Sequence, residues 1–190
     1  MSNTDFVLAV EDLSVSFDGF RAIDKLTLYL DRGELRVIIG PNGAGKTTLF
    51  DLISGFVEPD VGTIKLFGED ITDLGPDARA KLGLHRSFQD ARLFPSLTVA
   101  ENIAVALEKH HEARSATMAA LRLPSVARAE KRIGERAERL IRLMSLAPFR
   151  DKFVRELSTG TRRIVDLACV LAGDPKVLLL DEPPSGIPQR

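Results

Sequence analysis

Residues 40–48 read Gly40-Pro41-Asn42-Gly43-Ala44-Gly45-Lys46-Thr47-Thr48 and satisfy the spacing G-x-x-x-x-G-K-[ST], a spacing with a definite chemistry. Glycines let the backbone wrap closely around a phosphate chain with successive amide hydrogens turned inward, and a helix starting directly behind them adds partial positive charge. Lys46 would reach the β and γ phosphates, and the Thr47 hydroxyl would ligate Mg²⁺. An ordinary glycine-rich turn would not need the flanks seen here. Leu35 to Ile39 is a short, almost continuous apolar run of the kind buried in a parallel sheet, and Lys46 to Ser54 reads as a helix closed by Gly55. Much later, Val177 to Leu180 forms an apolar strand that delivers Asp181 and Glu182 to its carboxyl end, where open α/β sheets place their ligands. Neighbouring strand positions point to opposite sides, so Asp181 can serve Mg²⁺ while Glu182 faces a water in line with the γ-phosphate as general base. An isolated Asp-Glu pair is ordinarily a solvated turn; set at the end of a buried strand in a chain with a phosphate loop, it reads as the other half of one site.

The rest of the chain must position these groups. With 190 residues and 44% hydrophobic content it is long enough for one globular domain with a sizeable core, which excludes a disordered tail or a disulfide-stapled miniprotein. The 26 basic and 27 acidic residues nearly cancel, so no overall field draws the chain to nucleic acid or anionic lipid. The single cysteine, Cys169, sits in an apolar stretch, reads as a small buried hydrophobe and fits a reducing compartment. No basic-then-apolar leader opens the chain, so secretion is not expected, and the apolar runs Ile164 to Ala172 and Val177 to Leu180 are too short or too interrupted to cross a bilayer.

Leu13, Val15 and Phe17 alternate with polar neighbours and run into Asp18-Gly19, a hairpin turn, after which Leu26, Leu28 and Leu30 alternate again. Further strands are expected at Gly62 to Phe67 and Leu84 to Phe88, and a short helix at Pro76 to Lys81. Thr98-Val99-Ala100-Glu101 has the spacing of a capping box, predicting a helix from Thr98 to about His111. Ile133, Ala137, Leu140, Ile141 and Met144 recur at helical spacing, with arginines and glutamates on the other faces. That interleaving of glutamates, and the lack of aromatics, fits a solvated amphipathic helix better than a nucleic-acid stripe. A last helix from about Thr161 to Leu171 and a turn at Gly173-Asp174-Pro175 lead to the final strand, while Glu112 to Ser125 is too weakly patterned to assign.

Three further segments carry a resemblance. Leu157-Ser158-Thr159-Gly160-Thr161-Arg162-Arg163 resembles the signature motif of ATP-binding cassette (ABC) proteins, Phe88-Gln89 resembles their Q-loop, and Phe17 falls where the family places an aromatic against adenine, although a strand phenylalanine is by itself more often core. With Asp181-Glu182-Pro183 these motifs match the ABC ATPase family in order and rough spacing from Phe17 to Gly186. The resemblance implies an α/β fold: a P-loop NTPase cassette with a RecA-like parallel sheet core (35–61 and 174–190), an N-terminal antiparallel β part (1–34 plus 62–70) and a helical signature subdomain (95–173), together one domain over 1–190. It also implies ATP and Mg²⁺ as cofactors, and a homo- or heterodimer of cassettes with ATP between the loop at residues 40–48 of one and Ser158, Thr159, Gly160 and Thr161 of the other. Gln89 would ligate Mg²⁺ and report it to a membrane subunit. The segment Arg86-Ser87-Phe88-Gln89-Asp90-Ala91-Arg92-Leu93-Phe94 to Asn102 resembles importers of branched-chain amino acids, amides or urea. Arg92, Leu93 and Phe94 would then receive a coupling helix of transmembrane permease subunits, and an extracytoplasmic binding protein would supply cargo. The expected place is the cytoplasmic face of the inner membrane, bound peripherally and without nucleic acid.

Departures from the pattern set further expectations. Thr159 stands for the first glycine of the signature, Thr161 for its glutamine, and Pro188 for the usual Asp or Asn of the D-loop. The family continues to a switch histidine beyond the D-loop, whereas the histidines here are His85, His110 and His111, so residues 1–190 are expected to bind nucleotide but hydrolyse it poorly. Rival readings are a lipid or lipopolysaccharide export ATPase, a soluble ABC protein of translation or DNA repair, and a hydrolytically defective nucleotide-binding cassette.

Overall fold

The computed structural model describes residues 6–87, 93–110 and 124–181. These fall into two compact units, residues 6–86 with Lys176–Asp181 in one and residues 87–175 in the other.

In the first unit, β1 (Phe6–Phe17) and β2 (Phe20–Asp31) form the long hairpin that the alternating leucines predict. Phe17 pairs with Phe20 across Asp18 and Gly19, whose φ angles of 47° and 82° are those of a two-residue hairpin turn. On the other side β1 pairs antiparallel with β3 (Val61–Leu66), which turns back into the short β4 (Glu69–Asp70), giving the order β2-β1-β3-β4. Leu8, Val10 and Leu13 of β1 and Ile64 and Leu66 of β3 are buried together with Leu49, Leu52 and Ile53 of α1 (Lys46–Ser54). The same core takes in Ile71, just before α2 (Pro76–Lys81), Leu84 of β5 (Leu84–Ser87), and Val177 and Leu179 of β6 (Val177–Leu180). β5 and β6 form a two-stranded sheet and start side by side, with the amides of Lys176 and Val177 both donating to the Gly83 carbonyl.

One expected strand does not form. Leu35 to Ile39 pairs with no described strand, and Leu35, Val37 and Ile39 are 87%, 70% and 89% exposed. An apolar run becomes a strand only where neighbours accept its ladder hydrogen bonds, and β6 finds its described partner in β5 instead.

The second unit is helical. α3 (Val99–His110) begins at the predicted capping box: the Thr98 amide donates to Glu101 Oε2 at 2.7 Å and the Glu101 amide to Thr98 Oγ1 at 3.3 Å. The Thr98 amide and the Thr98 hydroxyl, which donates to Glu101 Oε2 at 2.8 Å, hold the Glu101 carboxyl below its ordinary range. Val99, Ile103 and Leu107 of α3 bury one stripe against Ala137 and Ile141 of α4 (Pro124–Leu143) and Val165, Ala168 and Ala172 of α5 (Thr159–Ala172). Between α4 and α5, 3₁₀ turns at Ala147–Phe149 and Val154–Glu156 add Leu146, Val154 and Leu157 to this core. The charged residues of α4 from Lys131 onward lie on its outer faces, as a solvated amphipathic helix requires. Among the described residues no helix is long and apolar enough to cross a membrane.

Cys169 packs against this second core, and burial, reinforced by Asp166, pushes its thiol up to about 12. A raised thiol pKa leaves almost no thiolate at neutral pH, so the native chain should react with a disulfide reagent at pH 7.5 at least about tenfold more slowly than the unfolded chain. Equal rates before and after denaturation would contradict this placement.

Candidate nucleotide-binding site

The phosphate loop sits at the amino end of α1. Gly43 and Gly45 both have φ of 82°, and a Cβ on Gly45 would lie 2.9 Å from the Ala22 carbonyl of β2. Both backbone shape and the close approach of β2 therefore require glycine at residue 45. The helix opens with no side-chain cap and no acidic residue in its first turn, which leaves its leading amides free to meet an anion from outside. Pro41, Asn42, Gly43 and Ala44 are exposed, Gly40 is partly covered, and Lys46 folds back over the loop, its Nζ donating to the carbonyls of Gly40 at 2.6 Å and Pro41 at 2.7 Å. A flexible cation held over backbone carbonyls at the loop's mouth can exchange those neutral acceptors for phosphate oxygens. Thr47 is exposed and Thr48 half-buried, one on each side of the first turn.

β2 links this loop to the aromatic end of the hairpin, since Ala22 lies two residues beyond Phe20 and against Gly45. Phe17 and Phe20 are 44% and 68% exposed, so neither belongs to the core and either offers a ring face to a base. At the end of β6, Asp181 is the last described residue of this unit, its side chain 9% exposed and its Oδ2 accepting from Arg86 Nη2 at 2.8 Å. Glu182, the expected general base, lies outside the described residues, as do Phe88, Gln89 and Arg92. A threonine hydroxyl and a carboxylate are hard oxygen donors of the kind that hold Mg²⁺ together with substrate phosphates, so Thr47 and Asp181 fit that ion by donor chemistry. Among the described residues no cluster of three or more His, Cys, Asp and Glu forms a dedicated metal cage. His85 lies half-buried on β5, its pKa lowered by burial.

The second unit carries the remaining candidates. Ser158 caps α5, its Oγ accepting from the Thr161 amide at 3.2 Å and lying 2.9 Å from Thr161 Oγ1, and Ser158, Thr159 and Gly160 are all exposed. The helix thus starts at Thr159, two residues before the expected Thr161, because the serine is the cap. Leu93 is half-buried against the helical core, and Phe94 is 52% exposed. Asn102, buried on α3, holds this stretch: its Oδ1 accepts from the Phe94 amide at 2.8 Å, and its Nδ2 donates to the carbonyls of Phe94, Leu97 and Thr98. Its anchoring role was hidden in the sequence, where a mid-helix asparagine gives no sign of which backbone it will bind.

A glycine-rich loop opening an uncapped helix, beside a sheet whose strand ends in a carboxylate, defines a P-loop nucleotide-binding protein of the α/β class. The family model described as "ABC transporter" matches residues 23–185, and the chain belongs to that family. It is similar to the high-affinity branched-chain amino acid transport ATP-binding protein BraF of Pseudomonas aeruginosa, 34% identical over 182 residues, 95% of this chain and 71% of that protein. It is 32% identical over 181 residues to a probable branched-chain amino acid transport ATP-binding protein LivG of Archaeoglobus fulgidus, covering 95% of this chain and 69% of that one. It is also 39% identical over 176 residues to a probable sulfate/thiosulfate import ATP-binding protein CysA of Chlorella vulgaris, covering 93% and 66%. Among solved structures it resembles a nucleotide-free ATP-binding cassette from an ABC transporter, with a TM-score of 0.76 at 27% identity over 96% of this chain and 71% of that one. It resembles cbiO1 from Clostridium perfringens with a TM-score of 0.78 at 28% identity, over 96% and 68%. The chain is therefore an ABC cassette, the ATP-binding ATPase component of a transporter.

Proposed function

We propose that this cassette powers import of branched-chain amino acids or related small amides or urea. The likeness to BraF and LivG over 95% of the chain supports that cargo class, and the Arg86 to Asn102 segment points the same way. The likeness to a sulfate/thiosulfate cassette sets the competing cargo.

In this reading the loop amides and Lys46 bind the phosphates, Phe17 stacks on adenine, and Thr47, Gln89 and Asp181 hold Mg²⁺, which when bound offsets phosphate charge. Glu182 takes the proton of the attacking water as its oxygen bonds to the γ-phosphorus and the bond to the β–γ bridging oxygen breaks. Ser158, Thr159, Gly160 and Thr161 of a second cassette close over the γ-phosphate, using the amino end of α5. Arg92, Leu93 and Phe94 meet the permease, and the cassette rests on the inner face of the membrane. Residues 1–190 serve as one ABC ATPase domain that pairs with a second.

The cargo is tested by deleting the gene in its host and measuring uptake of labelled leucine, urea and sulfate. Loss of leucine or urea uptake with sulfate unchanged supports the reading; loss of sulfate uptake alone overturns it. The docking role is tested separately by Phe94→Glu, which replaces an exposed ring and should leave ATP binding and melting temperature unchanged while cutting transport at least about tenfold. Unaltered transport would remove Phe94 from the coupling surface.

A further inference from the structure

The Arg86 side chain is 7% exposed and joins three elements of the first unit. From the end of β5, Nη2 donates to Asp181 Oδ2 at 2.8 Å, while Nη1 donates to Asp51 Oδ1 at 2.5 Å and to Ser54 Oγ at 3.2 Å. Phe50 covers it from one side, with the guanidinium carbon 5.9 Å from the ring centroid. Asp51 and Ser54 stand four and seven residues after Thr47, so all three share one face of α1. The clamp therefore draws the β6 carboxylate toward the helix face that carries the Thr47 hydroxyl.

We propose that Arg86 is a positioning residue of the nucleotide site, fixing the Asp181 carboxylate against the phosphate-loop helix through Asp51. This rests on the reading of Asp181 as an Mg²⁺ ligand. A guanidinium suits the task because its planar fork serves two carboxylates at once, where a lysine ammonium would be a single point of charge. Groups that orient a ligand without touching the ion commonly govern its affinity. Arg86 is anchored on α1 through Asp51, so Asp181 is held by the same helix that binds phosphate.

The test is ATP affinity of the full chain, measured by calorimetry with Mg²⁺ and again with EDTA, the ratio giving the gain due to the ion. In Arg86→Ala that gain should fall at least about tenfold while the EDTA affinity stays within about twofold. Arg86→Lys should restore part of it. Asp51→Asn, which keeps the Arg86–Asp181 pair and removes its anchor, should lower the gain in the same direction by less, and it carries the test if Arg86→Ala does not fold. A wild-type gain that survives in both variants, or a parallel fall of both affinities, overturns the proposal alone. A wild-type chain with no gain from Mg²⁺ overturns the reading of Asp181 and the proposal with it.

Discussion

Arg79→Ala is expected to destabilise the chain by about 3–5 kcal/mol, because it strips a buried cation from four backbone carbonyls at once. Arg79 is 1% exposed, and its guanidinium donates to Leu52 and Ile53 at 2.6 and 2.8 Å, to Thr72 at 2.6 Å and to Leu74 at 2.6 Å. Leu52 and Ile53 lie in the last turn of α1, whose carbonyls carry the negative end of the helix dipole, and the Leu52 carbonyl accepts from the Gly55 amide at 3.2 Å as well. Burial lowers the pKa of this guanidinium, while Asp70 and Asp73 oppose that shift from a distance. Gly55, with φ of 80°, leaves room for the side chain: a Cβ there would lie 2.8 Å from both Arg79 Nε and the Leu74 carbonyl. Urea unfolding followed by circular dichroism measures the loss. Arg79→Lys should recover less than half of it, since one ammonium cannot span four acceptors. A midpoint unchanged in Arg79→Ala would show that the carbonyls find other donors.

Lys46→Ala is expected to weaken ATP binding about 100-fold, roughly 2.7 kcal/mol, the scale of charge-assisted hydrogen bonds to phosphate. The fold should hardly notice, because among the described residues the Lys46 ammonium hydrogen-bonds only to the carbonyls of Gly40 and Pro41, at the edge of an exposed loop. Fluorescence competition with a labelled nucleotide gives the affinity, and a melting curve without nucleotide confirms that stability is unaltered. Retention of wild-type affinity would mean that phosphate is bound elsewhere.

Local rules made much of this site legible. Asp18-Gly19 specified its turn, Gly45 and Gly55 bracketed α1, and Thr98 with Glu101 marked the start of α3. Each depends on residues within a few positions of one another, where spacing and conformation are directly related. What escaped reading is non-local. Arg79 and Arg86 find partners 26 or 27 and 95 residues away, and nothing in a single chain separates a buried arginine from the many that stay in water. The strand expected at Leu35 to Ile39 failed for the same reason: hydrophobicity was legible, while pairing depends on which other strands stand beside it. At the signature, Ser158 and Thr159 are both capping types, and the structure makes Ser158 the cap, so the helix starts at Thr159.

The central claim is that ATP is held by the backbone of residues 40–48 and the first turn of α1. Hydrogen exchange read by mass spectrometry, with and without ATP, tests it most directly. Peptides spanning Gly40 to Leu49 should gain protection at saturating ATP, lose that gain in Lys46→Ala, and show it with ADP but not with adenosine, since phosphate is the group bound. Protection confined to other peptides, or equal protection by adenosine, would contradict a phosphate cradle at this loop.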